Sequence, residues 1–168
     1  EAAATAHPMW TDIPFEKNQT VALELGGAHK RYNAGLARTF QLGSGPQKVY
    51  DTANAVTEGL ESVLATVRPG VTAGDVHAAW QKVLNRYGLV KESRIGYGIG
   101  VGYSPDWGEH TISLRANDST VLEKNMTLHV MLGMWMDGWG IEFSETVAVT
   151  DSGVDCLTDF PRSVIDVR

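Results

Sequence analysis

The sequence holds a single cysteine, Cys156, among 168 residues, so no internal disulfide can form and a reducing compartment is the simpler expectation. A lone thiol of this kind is expected to be an inert, buried side chain. No apolar run approaches the roughly 20 residues needed to span a bilayer. The opening EAAATAHPMW has neither the basic flank nor the apolar core of a secretory signal. It also lacks an initiator methionine, and together these features predict a cytoplasmic protein seen without its own N-terminus. Positive charge is in short supply: 14 basic against 20 acidic residues leave a formal charge of -6. That balance offers no field to draw a phosphate backbone or an anionic lipid, so neither nucleic acid nor membrane is an expected partner. No repeat, low-complexity tract or linker breaks the chain, and 43% apolar content fits one globular domain.

Metal-site spacing is missing as well. His7, His29, His77, His110 and His129 are scattered, with no H-x-x-x-H and no cysteine pair. His7 and His77 read as surface or hydrogen-bonded residues. His129 differs, because it lies in an apolar run where a buried imidazole needs a partner or a role.

What is present reads as α+β. The segment Thr20 to Gly27 has strand composition, and Arg31 to Gly43 reads as its hairpin partner. Ser44-Gly45-Pro46 supplies a capping residue and a proline, after which Val49, Ala53, Val56, Leu60, Val63, Leu64 and Val67 recur at helical steps until Arg68-Pro69-Gly70. A second helix is expected from Thr72, with Asp75 completing a capping box and Gly88 ending it. The rest reads as antiparallel strands, with turns at Asp137-Gly138 and Asp151-Ser152-Gly153. The alternating Gly96, Gly98, Gly100 and Gly102 lead into Pro105 rather than into a helix, which argues against a dinucleotide fingerprint. They suit a strand that something approaches closely.

Glu24, Glu142 and Glu145 stand inside apolar strands, where carboxylates are either paired or on a wet face. Tyr97, Tyr103, Trp107, Trp135 and Trp139 lie nearby in the sequence. Such aromatics are usually core, but acids interleaved with them also describe a pocket for a compact organic cation.

The order of LELGGAHKRYNAGLARTFQLG, the RPG stop, GYGIGVGYSPDWGEHT, NMTLHVMLGMWMDGWGIEFSETVAVT and the closing FPR resembles the catalytic domain of the pita-bread family. That family includes aminopeptidase P, prolidase, methionine aminopeptidase and creatinase. Within it, KESRIGYGIG, SPDWGEHTISLR and WMDGWGIEFSET look most like the ectoine hydrolase branch. The resemblance runs from about Pro8 and implies the C-terminal part of a pita-bread domain: a curved antiparallel sheet with two adjacent helices, the N-terminal domain and the first part of the catalytic domain being absent. It also implies a homodimer.

In the family's metallopeptidases five side chains hold two metal ions. By resemblance, those positions fall on Glu24, Gly35, Tyr97, Met131 and Ser144, of which Glu24 alone keeps a carboxylate. Such a set lacks the donors that offset ion desolvation, so no metal and no cofactor is expected. The resemblance instead implies hydrolytic opening of ectoine, or of hydroxyectoine, a zwitterionic cyclic amidine, to acetylated diaminobutyrate. With positions 131 and 144 taken to face the ancestral metals, strand parity puts His129 and Trp135 on the face of Met131 and Glu142 on that of Ser144, leaving Glu145 pointing the other way unless a bulge intervenes. Glu24 is then expected as base or nucleophile, with His129 and Glu142 assisting proton transfer and cation binding. Tyr97, Trp107 and Trp135 would wall the pocket, with Glu109 and Arg31 as polar contacts, Arg31 for the substrate carboxylate. Competing expectations are another creatinase-like amidino or amide hydrolase, an Xaa-Pro metallopeptidase, and a non-catalytic module that binds a small cation.

Overall fold

The computed structural model describes residues 12–103 and 106–168; His7 and Pro105 lie outside them. Strands β1 (Thr20–His29) and β2 (Tyr32–Leu42) form the expected hairpin. Its two turn residues, Lys30 and Arg31, both take positive φ, at 48° and 73°, as a two-residue turn between twisted strands requires. Helices α1 (Gln47–Thr66) and α2 (Ala73–Tyr87) follow. Thr72 and Asp75 make the reciprocal capping box, and Gly88 closes α2 at φ 65°. The start of α1 departs from expectation. Pro46 itself takes the cap position with no side-chain cap, while the Ser44 amide donates to Asn18 Oδ1 at 2.9 Å. Ser44 is thus committed to the preceding turn.

Strands β3 (Gly96–Ile99), β4 (Gly108–Ser113), β5 (Thr127–Met136), β6 (Trp139–Val149) and β7 (Val154–Cys156) build an antiparallel sheet in the order β4-β3-β5-β6-β7. The Asp137-Gly138 turn sets a register in which Met131 faces Ser144 and Gly133 faces Glu142. A final short strand, β8 (Ile165–Val167), runs parallel to β2, the one parallel pairing among the described strands. Sequence pattern missed β4, β7 and β8, which are short and half exposed and so carry no clean alternation.

The core lies between the helices and one face of the larger sheet. Leu128, Val130, Leu132 and Met134 of β5 and Ile141, Phe143 and Val147 of β6 meet Val56, Leu60 and Val63 of α1 and Trp80 of α2. Gly59 exists to admit that tryptophan: a Cβ there would lie 2.0 Å from the Trp80 ring. The glycines of β3 serve the same end, since a Cβ on Gly96 would meet the His129 carbonyl at 2.6 Å.

The opposite face of β6 is not wet. The hairpin lies across it, and three hydroxyls stitch the layers together. The Gly35 amide donates to Thr146 Oγ1 at 2.9 Å, the Ala37 amide to Ser144 Oγ at 2.6 Å, and the Glu142 amide to Thr39 Oγ1 at 2.8 Å. Outward N–H groups of β2 would otherwise be buried without partners. Covering both faces explains why Glu142 and Glu145 are both buried, at 5% and 1% exposure.

Two further expectations meet the structure differently. His77 is not at the surface: it is buried on α2 and hydrogen-bonded to the Ser93 backbone, as the second alternative had it, with Nε2 lacking a partner. Cys156 is exposed on the edge strand β7, where Arg162 donates to its sulfur at 3.2 Å. Among the described residues, no helix is long and apolar enough to cross a membrane.

Candidate active site

A cavity of about 210 Å³ opens beside β1 and β3, with Glu24, Arg94, Tyr97, Asp106, Trp107 and Glu109 in its wall. Glu24 reaches it from β1, opposite Ala37. Trp107 lies flat over Gly26, where a Cβ would be 2.3 Å from the indole, and donates its Nε1 hydrogen to the Tyr97 hydroxyl at 2.8 Å. Burial first, then the charge of Glu24, holds the Tyr97 hydroxyl above its ordinary pKa, with the Trp107 bond and Arg94 opposing. Glu24, Tyr97, Trp107 and Glu109 are therefore brought together as the sequence suggested.

His129 is not in that wall. It sits behind Tyr97, fully buried, with Nδ1 3.0 Å from the Tyr97 oxygen and Nε2 2.7 Å from Ser144 Oγ. Its ring also fills the space over Gly35, where a Cβ would stand 2.8 Å from Cε1. Burial pushes its pKa down to about 4, only partly countered by Glu145, so it is a neutral ring that both hydrogen bonds suit. Gly35, Tyr97 and Ser144, three of the five positions that the resemblance assigns to the family's metal donors, all touch this one imidazole. Among the described residues, no three His, Cys, Asp or Glu side chains converge as a metal site. The donor set does not fit a dinuclear centre, since glycine, methionine and a hydrogen-bonded serine offer no anionic oxygen.

Glu142 lies deeper than Glu24. Burial, and next the Glu24 charge, push its carboxyl up to about 8, while Lys91 pulls the other way. Sequence reasoning missed Lys91. Its ammonium donates at 2.6 Å to the carbonyl of Gly133, the residue directly across from Glu142, and stands 5.7 Å from the Trp135 ring centroid. Burial lowers its pKa to about 8, with Glu142 opposing. Glu145 points elsewhere, as parity indicated, onto Arg38 at 2.6 Å and Arg162 at 2.9 Å.

The aromatic residues are not gathered into one cage. Tyr103 carries Arg31 at 5.6 Å, Trp139 carries Lys48 at 5.4 Å, Trp135 carries Lys91, and Tyr97 carries Arg94 at 4.7 Å. Four of the five faces thus hold one of the chain's own cations. Trp135 is six residues along β5 from His129, about 20 Å at ~3.3 Å per residue, and does not line the cavity. Nor does Arg31, whose guanidinium donates to the Tyr103 hydroxyl at 2.6 Å. Arg94 stands in the wall instead. It precedes the start of β3 at Gly96, outside the alternation from which faces are read.

The profile of metallopeptidase family M24 matches residues 1–151. The chain is 40% identical over 163 residues to an ectoine hydrolase of Halomonas elongata, covering 96% of this chain and 41% of that protein. It is 37% identical over 141 residues to an agropine synthesis cyclase of Rhizobium rhizogenes, covering 80% of this chain and 34% of that one. Its fold superposes on the dipeptidase PepE of Mycobacterium ulcerans with a TM-score of 0.91 at 26% identity, covering 98% of this chain and 44% of that chain. The chain therefore spans about two fifths of the length of the proteins it matches. Sequence profile, relatives and superposition agree, and the chain belongs to metallopeptidase family M24, with the pita-bread fold.

Proposed function

We propose that this chain supplies the acid–base half of a site that hydrolyses a small cyclic amidine of the ectoine type, without a metal ion. The observation that carries the reading is the pair of unlike carboxyl groups, Glu24 at the cavity and Glu142 behind it. Mutual repulsion and unequal burial separate two such groups into a base and an acid. Glu142 keeps its proton at neutral pH, its carboxyl being pushed up to about 8, whereas Glu24 stands in the cavity wall. The likeness to an ectoine hydrolase supports this substrate class, and the likeness to a cyclase fits a site that handles a ring.

In this reading, water adds to the amidinium carbon as Glu24 takes one of its protons, forming the C–O bond. Glu142, which lies behind the wall and does not line the cavity, gives its proton through an intervening water to a ring nitrogen as that C–N bond breaks. The proton of the adduct's hydroxyl returns to Glu142 as the amide carbonyl forms, and the proton on Glu24 leaves with the amine as an ammonium. Trp107 and Tyr97 cover the flat ring, the indole face serving the cation. His129 touches no ligand; it positions Tyr97 by its hydrogen bond.

Product analysis after incubating the protein with ectoine under metal chelation tests this. Acetylated diaminobutyrate is expected from the wild type and none from Glu24→Gln. Ring opening retained by that variant, or abolished by the chelator, would overturn the reading.

A further inference from the structure

Arg94 is the one guanidinium in the cavity wall, and nothing in the mechanism above uses it. It sits 4.7 Å over the Tyr97 ring, on the ring whose hydroxyl feels both Glu24 and Arg94. Stacking fixes the plane of a guanidinium through its face and leaves its N–H edge free for a planar, bidentate acceptor. Among the described residues, Arg94 makes no side-chain hydrogen bond or ion pair, in contrast to Arg38, Arg86 and Arg162. The cavity is thus polarised: Glu24 offers negative charge and Arg94, exposed at its mouth, a guanidinium beside the same tyrosine.

We propose that Arg94 determines specificity by binding the carboxylate of a zwitterionic ligand whose cationic ring faces Glu24 and Trp107. This rests on the ring-opening reading and narrows it, because an amidine without a carboxylate would leave the fork unpaired. A carboxylate held by two N–H groups of one guanidinium gains charge-assisted, directional bonds that an analogue without it cannot make, and at an exposed arginine that gain is moderate. A lysine at this position would keep the charge but lose the fork and the stacking.

The test compares ectoine with the same cyclic amidine lacking the carboxylate, in the full chain and in its Arg94→Met and Arg94→Lys variants. The wild type should favour ectoine by at least about tenfold in kcat/KM, mostly through KM. Arg94→Met should abolish that preference by weakening ectoine alone, and Arg94→Lys should restore it only in part. Calorimetry with both compounds on Glu24→Gln protein reads the same preference as affinity without turnover. Equal loss on both compounds, or a preference that survives Arg94→Met, would overturn the proposal. Failure of the ring-opening reading is distinguishable, since the wild type would then turn over neither compound while calorimetry still reports whether Arg94 selects the carboxylate.

Discussion

The Tyr97 hydroxyl stands 3.0 Å from Nδ1 of His129 while accepting the indole hydrogen of Trp107 at 2.8 Å. One oxygen therefore joins the cavity wall to the buried imidazole. Replacing Tyr97 by Phe would remove the partner of both nitrogens and strand the fully buried one of His129, and an unsatisfied buried group costs about 1–3 kcal/mol. Chemical denaturation of Tyr97→Phe should show a loss of about 2 kcal/mol. A change below about 0.5 kcal/mol would mean that the two nitrogens find other partners.

His129 predicts an acid-side weakness. Its pKa falls from 6.5 in the unfolded chain to about 4 in the fold, so the unfolded state binds the proton first. The stability it lends is whole above 6.5 and is lost as pH falls through about 4, a difference of roughly 3 kcal/mol. Unfolding curves across that range should be steeper in pH for the wild type than for His129→Gln; parallel curves would contradict the burial argument.

Glu142 and Lys91 govern the alkaline side. Because burial raises the Glu142 carboxyl to about 8, turnover that needs its proton should fall as pH rises through about 8. Lys91 favours the ionised form, so Lys91→Met should move that alkaline limb upward. A limb that moves down, or stays, would remove Glu142 from the role of acid. The stability linkage has the same sense: the contribution of Glu142 is full below 4.5 and is lost as pH rises through about 8.

Arg38 and Glu145 form the most deeply buried ion pair among the described residues, at 3% and 1% exposure. Arg38 also donates to the carbonyls of Ser144 at 2.6 Å, Phe160 at 2.7 Å and Pro161 at 2.8 Å. Removing Glu145 leaves the Arg38 charge buried without an acid and costs about 3–5 kcal/mol, whereas removing Arg38 leaves Glu145 its second partner, Arg162. Glu145→Gln should lower the unfolding free energy by that order and Arg38→Met by less, with the double variant below their sum. Additive losses would show that the two do not act as a pair.

The elements that sequence made legible are those whose signals are local. Thr72, Asp75 and Gly88 bound α2, and the heptad-like run from Val49 to Val67 gives α1, because capping and periodicity act within a few residues. Parity also separated Glu142 from Glu145 correctly. The site was legible only where a residue's own position decides it, as for Glu24 and Tyr97. Lys91 and Arg94 were hidden because they leave the 91–94 segment toward residues distant in sequence, Gly133 and Tyr97. Trp135 and Arg31 were misplaced for a related reason: composition gathers aromatics and cations without saying that they pair with one another first. The burial of β6 on both faces was invisible too, since Ser144 and Thr146 look like wet-face residues until β2 lies across them.

The short parallel strand β8 ties the hairpin to a segment distant in sequence. Phe40, Gln41 and Leu42 pair with Ile165, Asp166 and Val167, and Arg38 is anchored by carbonyls at 160 and 161. Pairs 122 or more residues apart in sequence thus back the hairpin from behind, a non-local closure of the kind that slows folding. Glu24 rides on that hairpin, so the placement of its carboxylate depends on the 160–167 stretch.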